Sequence, residues 1–138
     1  MKFALISIIL CIGFVNAQSP NIYGFITGQI DSEQDIDSLL FFLTNDTITN
    51  IQKASESGLT YFVYDLKENK KFESKEISVY LCSDKSAVYT LNRIPIGEWQ
   101  VNVWEGTSSN LRGKTQTINV EPFMTNTANI VISKTLLT

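Results

Sequence analysis

The stretch AVYTLNRIPIGEWQVNVW, residues 87–104, contains the pattern that decides the fold of this chain. Two runs rich in β-branched and aromatic residues flank Pro95-Ile96-Gly97. Alternation of apolar and polar residues is typical of β-strands, and proline followed closely by glycine is typical of a tight reversal, because proline presets φ. The stretch therefore predicts two strands joined by a short turn, with Trp99, Val101 and Val103 directed into a core.

Runs of the same kind recur about every 10 to 15 residues along the chain, separated by clusters of Asp, Asn, Ser, Gly and Pro. No long helix competes with them, which is the pattern of an all-β protein. The count favours a two-layer antiparallel β-sandwich of about seven to eight strands. The predicted strands are residues 22–30, 38–44, 59–66, 77–82, 87–94, 99–105, 115–120 and 128–133.

Four local features refine this prediction. Gly24 and Gly28 share a face with the isoleucines of the first strand and suggest a bulge or a close neighbour. The second strand lacks alternation over residues 39–43, so we expect both of its faces to be covered. Asn50 is a suitable cap for one or two helical turns ended by Gly58. Residues 67–76 mix charges of both signs and predict a solvated connection or a charged strand edge.

The first 17 residues read as a cleavable secretory signal peptide. A basic start at Lys2 precedes a nearly unbroken apolar run over 3–15, and Val15-Asn16-Ala17 fits a cleavage site. Cleavage would leave 121 of the 138 residues as a single domain, residues 18–138. No later run is long enough to span a membrane, so we expect a secreted protein, periplasmic or on the cell surface if bacterial.

Composition narrows the possible functions. The net charge is −3 and becomes −4 when Lys2 is lost, which argues against nucleic acid as a partner. The chain has no histidine, so Ser-His-Asp and Cys-His catalysis and His-ligated metal sites are excluded. Glu98 and Glu105 flank one predicted strand and would lie about 23 Å apart, too far to act on one bond. We therefore predict a non-enzymatic protein without a cofactor.

Residues 77–133 carry a resemblance to a known kind of module. The stretch over residues 87–104 is similar to an aromatic-containing strand, the short turn and the following strand of carboxypeptidase-regulatory-like, or prealbumin-like, β-sandwich modules. Residues 115–120 and 127–132 resemble the closing pair of strands of that family, and residues 26–30 its opening strand. The resemblance implies a secreted sandwich with a binding, spacer or assembly role and no catalytic activity.

One face of the strand over 99–105 is the first candidate for ligand binding. Trp104 is out of phase with the apolar residues of that strand and shares a face with Gln100 and Asn102. An aromatic ring beside amides can stack on a sugar or anchor a protein interface, and Tyr89 could lie across the strand pair from it. The alternative is that Trp104 packs under the loop over 106–114, an exposed polar hairpin that carries Arg112 and Lys114.

An acidic loop and an acceptor triplet are weaker candidates. Alternating acids match the spacing of the first ligands of a calcium loop, but the required glycine and the final glutamate are missing, so a solvated turn is the alternative. These acids are Asp31, Glu33, Asp35 and Asp37. Asn45-Asp46-Thr47 is an acceptor for N-linked glycosylation in a eukaryotic host.

Cys82 would be the single cysteine after cleavage, because Cys11 lies in the leader. We expect either burial, the more common fate of a free cysteine, or an intermolecular disulfide.

Together these patterns predict a secreted, non-catalytic β-sandwich that binds an extracellular glycan or protein through the Trp104 face. The alternative is a structural subunit of an extracellular or cell-surface complex, in which strand edges and Cys82 make contacts between copies or with other proteins.

Overall fold

The structure is a computed structural model that describes residues 22–106 and 110–134. The predicted signal peptide lies outside the described residues. Eleven strands and two short helices follow one another along this part of the chain. They are β1 (Tyr23–Ser32), β2 (Leu39–Thr44), α1 (Ile51–Glu56), β3 (Thr60–Val63), α2 (Leu66–Asn69), β4 (Lys71–Glu73), β5 (Ile77–Ser83), β6 (Ser86–Pro95), β7 (Gly97–Glu105), β8 (Leu111–Lys114), β9 (Ile118–Val120), β10 (Thr125–Thr127) and β11 (Ile130–Lys134).

The strands form one continuous hydrogen-bonded sheet in the order β3-β2-β7-β8-β11-β1-β6-β5-β4, with β10 beside β1 and β9 beside β7. The pairs β1–β10 and β1–β11 are parallel, and the other pairs are antiparallel. The protein is therefore all-β, as predicted, but with eleven strands in the described residues rather than seven to eight, and with two parallel pairings.

The sheet curls until its halves face one another. Phe41 of β2 and Tyr89 of β6 are far apart in strand order, yet their ring centroids are 5.4 Å apart. At the seam, Tyr64 follows β3 and makes an edge contact with Phe72 of β4, with 5.1 Å between centroids. The end strands thus approach each other, and the curled sheet is close to a barrel around its apolar core.

All eight predicted strands overlap an observed one, and the three that sequence missed are short: β4, β8 and β10. The turn at Pro95–Gly97 differs more from expectation. β6 and β7 are not neighbours in the sheet, so this turn carries the chain from one side of the core to the other. Trp99 is placed by the turn as well, since its Nε1 donates to the carbonyl oxygen of Pro95 at 2.8 Å.

The two glycines of β1 have the predicted effect. The β1–β6 register shifts between Gly24 and Ile26, which marks a bulge. A Cβ on Gly28 would overlap the carbonyl group of Ala128, and one on Gly24 would overlap Val120. Both positions therefore need glycine because another part of the chain approaches the backbone closely.

The helix α1 and the β4 edge follow the sequence, whereas α2 was not predicted. Asn50 caps α1 by accepting a hydrogen bond from Lys53 N at 2.9 Å, and Gly58 follows the helix with φ of +74°. Residues 67–76 form most of α2 and the terminal strand β4, whose Lys71 and Glu73 are exposed and make an ion pair at 3.4 Å. Charged side chains at an open edge oppose pairing with other chains. No helix in the described ranges is both long and apolar enough to cross a bilayer.

Candidate functional site

The two faces of β7 have opposite characters. Trp99, Val101 and Val103 are buried in the core, and Gln100, Asn102 and Trp104 are half-buried on the outer side of the sheet. The predicted phase of this strand is therefore confirmed. The outer side of β7 lies between β2 and β8, so cross-strand neighbours complete the surface around Trp104.

A row of four side chains crosses the outer side of β3, β2, β7 and β8, and we call it the aromatic face. Register places Phe62 opposite Leu40, Leu40 opposite Trp104 and Trp104 opposite Arg112. Phe62 is 63% exposed, Leu40 and Trp104 are half-buried, and Arg112 is exposed. Directly opposed side chains in a sheet lie within contact range, so the register alone assembles the row.

The next row toward α1 is covered. Phe42 points to the same outer side but is only 4% exposed, because α1 packs on β2 and Trp104 makes an edge-to-face contact with its ring. The centroids of Phe42 and Trp104 are 5.1 Å apart, with the ring planes at 86°. The expectation that β2 is covered on both sides is thus confirmed at Phe42, whereas Leu40 is left in the open row.

Arg112 stacks on Trp104. Its Cζ lies 3.9 Å from the centroid of the indole ring, which is the geometry of a cation–π contact. The predicted alternative, in which the segment over 106–114 covers Trp104, is therefore partly correct. One face of the indole carries a guanidinium, so that face does not offer a bare plate on which a sugar ring could stack.

A groove of about 480 Å³ runs along the aromatic face. Its walls are mostly apolar. They are formed by the four residues of the row together with Val63, Tyr64, Ser38 and Gly106. Glu105 secures one end of it from the core side, since its Oε2 accepts from the backbone N–H groups of Asp37 and Ser38, each at 3.1 Å. Glu105 is 2% exposed, so it serves as an internal anchor for the loop that borders the groove.

The amides on the outer side of β7 are used within the sheet. Asn102 Nδ2 donates to Thr44 Oγ1 at 2.9 Å and to the carbonyl oxygen of Phe42 at 3.3 Å. Gln100 Nε2 lies 3.5 Å from the carbonyl oxygen of Thr115. Asn102 and Gln100 therefore brace β7 against its neighbours. They lie beside Trp104 as predicted, but they face a neighbouring polar cleft that is also lined by Asn50 and Lys114.

Tyr89 was predicted to join this surface, and that prediction is wrong. It is 1% exposed and lies in the core, where its hydroxyl donates to the carbonyl oxygen of Ala128 at 2.7 Å. Burial raises the pKa of Tyr89 well above its ordinary value. The phase of β6 directs Ala87, Tyr89 and Leu91 inward, and the register that brings Tyr89 against Phe41 could not be known from one strand alone.

The acidic loop does not assemble a metal site. Among residues 22–106 and 110–134, no three His, Cys, Asp or Glu side chains lie close enough to share a metal ion. Two of the acids accept hydrogen bonds from different parts of the chain. Asp31 Oδ1 accepts from Gln29 Nε2, and Asp37 Oδ1 accepts from Lys67 N at the start of α2. Asp31, Glu33 and Asp35 are exposed, in agreement with a solvated acidic turn.

Asn45 and Cys82 lie on the surface away from the aromatic face. Asn45 Oδ1 accepts from Thr47 N and Ile48 N at 2.9 and 2.7 Å, which forms a tight turn directly after β2. Glycosylation of Asn45 stays a prediction. Cys82 is a free, exposed thiol beside the irregular β5–β6 pairing, so the expectation that it is buried is wrong.

A second groove, which we call the rim groove, lies elsewhere on the surface. It has a volume of about 650 Å³ and mixed walls that include Tyr23, Tyr61, Glu76 and Arg93. Arg93 Cζ lies 5.9 Å from the centroid of Tyr23. Burial, with smaller contributions from the Glu76 carboxylate and Tyr23, raises the pKa of Tyr61 to about 12.

Sequence reasoning missed Phe62, Leu40 and the role of Arg112. The hairpin predicted to carry Arg112 and Lys114 is present, because β8 pairs antiparallel with β7 and both side chains are exposed. The position of Arg112 opposite Trp104 was not predicted. Phe62 was recognisable only as the out-of-phase residue of its strand. Strand order, which brings β3, β2, β7 and β8 side by side, was the missing information.

A scan against models of known protein families finds no match for this chain, and a search of the curated proteins finds no relative.

Proposed function

We propose that this protein is a secreted, non-catalytic module that binds a protein partner through the aromatic face. The observation that carries the proposal is the open row of Phe62, Leu40, Trp104 and Arg112. Aromatic and arginine side chains are enriched where proteins meet, and an apolar groove with a polar rim is the usual anatomy of such a contact.

A protein is a better candidate than a glycan. Recognition of a sugar by stacking needs an accessible ring face with hydrogen-bonding groups beside it. Arg112 lies over Trp104, and the nearest amide, that of Asn102, donates its hydrogen bonds within the sheet. Phe62 and Leu40 instead offer the apolar area that a partner's side chains can bury.

Site-specific photo-crosslinking tests this function. The mature protein, with a photoreactive phenylalanine analogue at position 62 or at position 123, is exposed to the extracellular fluid of its natural source. Phe123 is 71% exposed and lies outside the aromatic face, so it is a matched control. We expect a discrete protein adduct from position 62 alone. Equal adducts from both positions, or none from position 62, would refute the function.

The wider proposal is that the curled sheet is a two-layer, prealbumin-like sandwich and that residues 1–17 are removed on secretion. The sequence motif at Pro95–Gly97 and the inward alternation of Trp99, Val101 and Val103 support the first part. The basic and apolar order of the leader supports the second. N-terminal sequencing of protein from its natural source would give Gln18 as the first residue if the cleavage site is correct.

A second candidate is a subunit of an extracellular assembly, and the exposure of Cys82 favours it. An exposed thiol in an oxidising compartment can bridge two chains. Light scattering with and without reductant is the test. A reductant-sensitive oligomer that is lost in Cys82→Ser would support assembly, and a monomer under both conditions would exclude a role for this cysteine in it.

A further inference from the structure

The charge around the aromatic face differs in sign from the chain as a whole. The chain carries a net charge of −3. Within the described residues of β3, β2, β7 and β8, the charged side chains that point outward are Glu98 at the far end of β7, Arg112 at the groove and Lys114 in the neighbouring polar cleft. Glu105 also borders the groove, but its carboxylate is buried and holds two backbone N–H groups. An acidic protein therefore presents an apolar row with Arg112 at its β8 end and Lys114 two residues further along that strand.

The two cations have defined positions. Register places Arg112 opposite Trp104 and Lys114 opposite Asn102, so they follow each other along β8 on the same side. Stacking on the indole orients the plane of the Arg112 guanidinium, and a planar guanidinium can donate two parallel hydrogen bonds to one carboxylate. Lys114 adds a second positive charge next to it.

From this charge complementarity we propose that the occupant of the aromatic face is an acidic peptide segment of a partner protein. A large apolar side chain of that segment lies in the groove between Phe62 and Trp104, and its carboxylates lie over Arg112 and Lys114. The inference rests on the proposed function and adds the chemistry of the partner to it.

Two synthetic peptides of equal length test the proposal with the whole mature protein. In the first, leucine and phenylalanine alternate with glutamate and aspartate. In the second, lysine replaces every acid. Isothermal titration and fluorescence anisotropy then measure both affinities at low and high salt. We expect the acidic peptide to bind about fivefold or more tightly than its basic counterpart, and to weaken as salt screens the contacts.

Matched substitutions locate the contact. Arg112→Ala should weaken the acidic peptide about fivefold, whereas Arg93→Ala, which removes the other arginine stacked on an aromatic ring, should leave it unchanged. Phe62→Ala should weaken both peptides, and Phe123→Ala neither. Circular dichroism of each variant verifies that the fold is retained.

Three results would overturn the proposal: no preference for the acidic peptide, an equal effect of Arg93→Ala, or a dimer of the protein alone that Phe62→Ala dissociates. The last result would assign the face to a second copy of this chain. If photo-crosslinking at position 62 succeeds while the peptides show no preference, the partner's chemistry is wrong and the function stands. If crosslinking also fails, the function fails with it.

Discussion

The aromatic face and the rim groove each place an arginine over an aromatic ring, but they do so in different ways. Arg112 lies directly opposite Trp104 in the β7–β8 ladder, at 3.9 Å from the ring centroid. Arg93 is diagonal to Tyr23, which is opposite Pro95, and lies at 5.9 Å. Direct opposition in a regular ladder gives a close contact, and a diagonal position next to a bulge gives a loose one.

The two surfaces also differ in charge and in what lies beneath them. The rim groove contains both Glu76 and Arg93, so neither sign dominates there. The aromatic face carries Arg112 on its outer side, and Glu105, the acid that borders its groove, is turned inward as an anchor. Sheet register therefore lines up the side chains of the aromatic face in one row, whereas the rim groove has side chains of both charge signs in its walls.

Of the substitutions that distinguish the two surfaces, removal of the Glu105 carboxylate should change the free energy of unfolding most. Glu105→Ala leaves the backbone N–H groups of the half-buried Asp37 and Ser38 without the Glu105 acceptor and should lower the free energy of unfolding by about 3 kcal/mol. Glu105→Gln keeps an acceptor oxygen and should lose about half as much. Urea denaturation measures both changes.

The matched control is Glu76→Ala in the rim groove. Glu76 is half-buried, so the free energy of unfolding should change by no more than about 0.5 kcal/mol. If Glu76→Ala and Glu105→Ala cost the same, Glu105 is not the anchor described above.

The second-largest effect should come from alkaline pH, which ionises Tyr61 in the rim groove and lowers the stability of the fold. Its pKa of about 12 in the folded state lies above the value of 10.0 in the unfolded state, so the fold favours the neutral phenol. The stabilisation is present below pH 10 and is lost as pH rises from about 10 through about 12, by about 2 kcal/mol.

Comparison with Tyr61→Phe isolates this contribution. Tyr89 also titrates late because it is buried, so both proteins should lose stability in alkali. The wild type should lose about 2 kcal/mol more than Tyr61→Phe between pH 9 and 12. Parallel stability curves for the two proteins would show that Tyr61 does not carry the raised pKa.

Substitution of either stacked arginine should have the smallest effect on the free energy of unfolding. Arg112→Ala should lower the free energy of unfolding by about 0.5 to 1 kcal/mol, since exposed cation–π contacts contribute about that much. Arg93→Ala should cost less because its contact with Tyr23 is longer. A larger loss for Arg93→Ala in thermal or urea denaturation would reverse the ranking of the two contacts.

Features that depend on residues close together in the chain were predictable from the sequence. Alternation along β7 was enough to place Val101 and Val103 inside and Trp104 outside, because the period of a strand is local. The bulge at Gly24 and the cap at Asn50 were predicted for the same reason.

The neighbours of Trp104 were not predictable in this way. Phe62, Leu40 and Arg112 come from strands that are distant in the chain, and their meeting depends on the sheet order. The same dependence explains why Tyr89 was wrongly placed beside Trp104. It also explains why β6 and β7, which only Ile96 separates, lie on different sides of the core.

Fluorine NMR of the two tryptophans tests the central claim most directly. The chain contains only Trp99 and Trp104, so labelling with 5-fluorotryptophan gives two signals, one from the core and one from the aromatic face. Titration with the acidic peptide should shift the Trp104 signal and leave that of Trp99, which is 6% exposed, in place. A titration in which neither signal moves, or in which Trp99 moves and Trp104 does not, would contradict the assignment of the aromatic face as the binding surface.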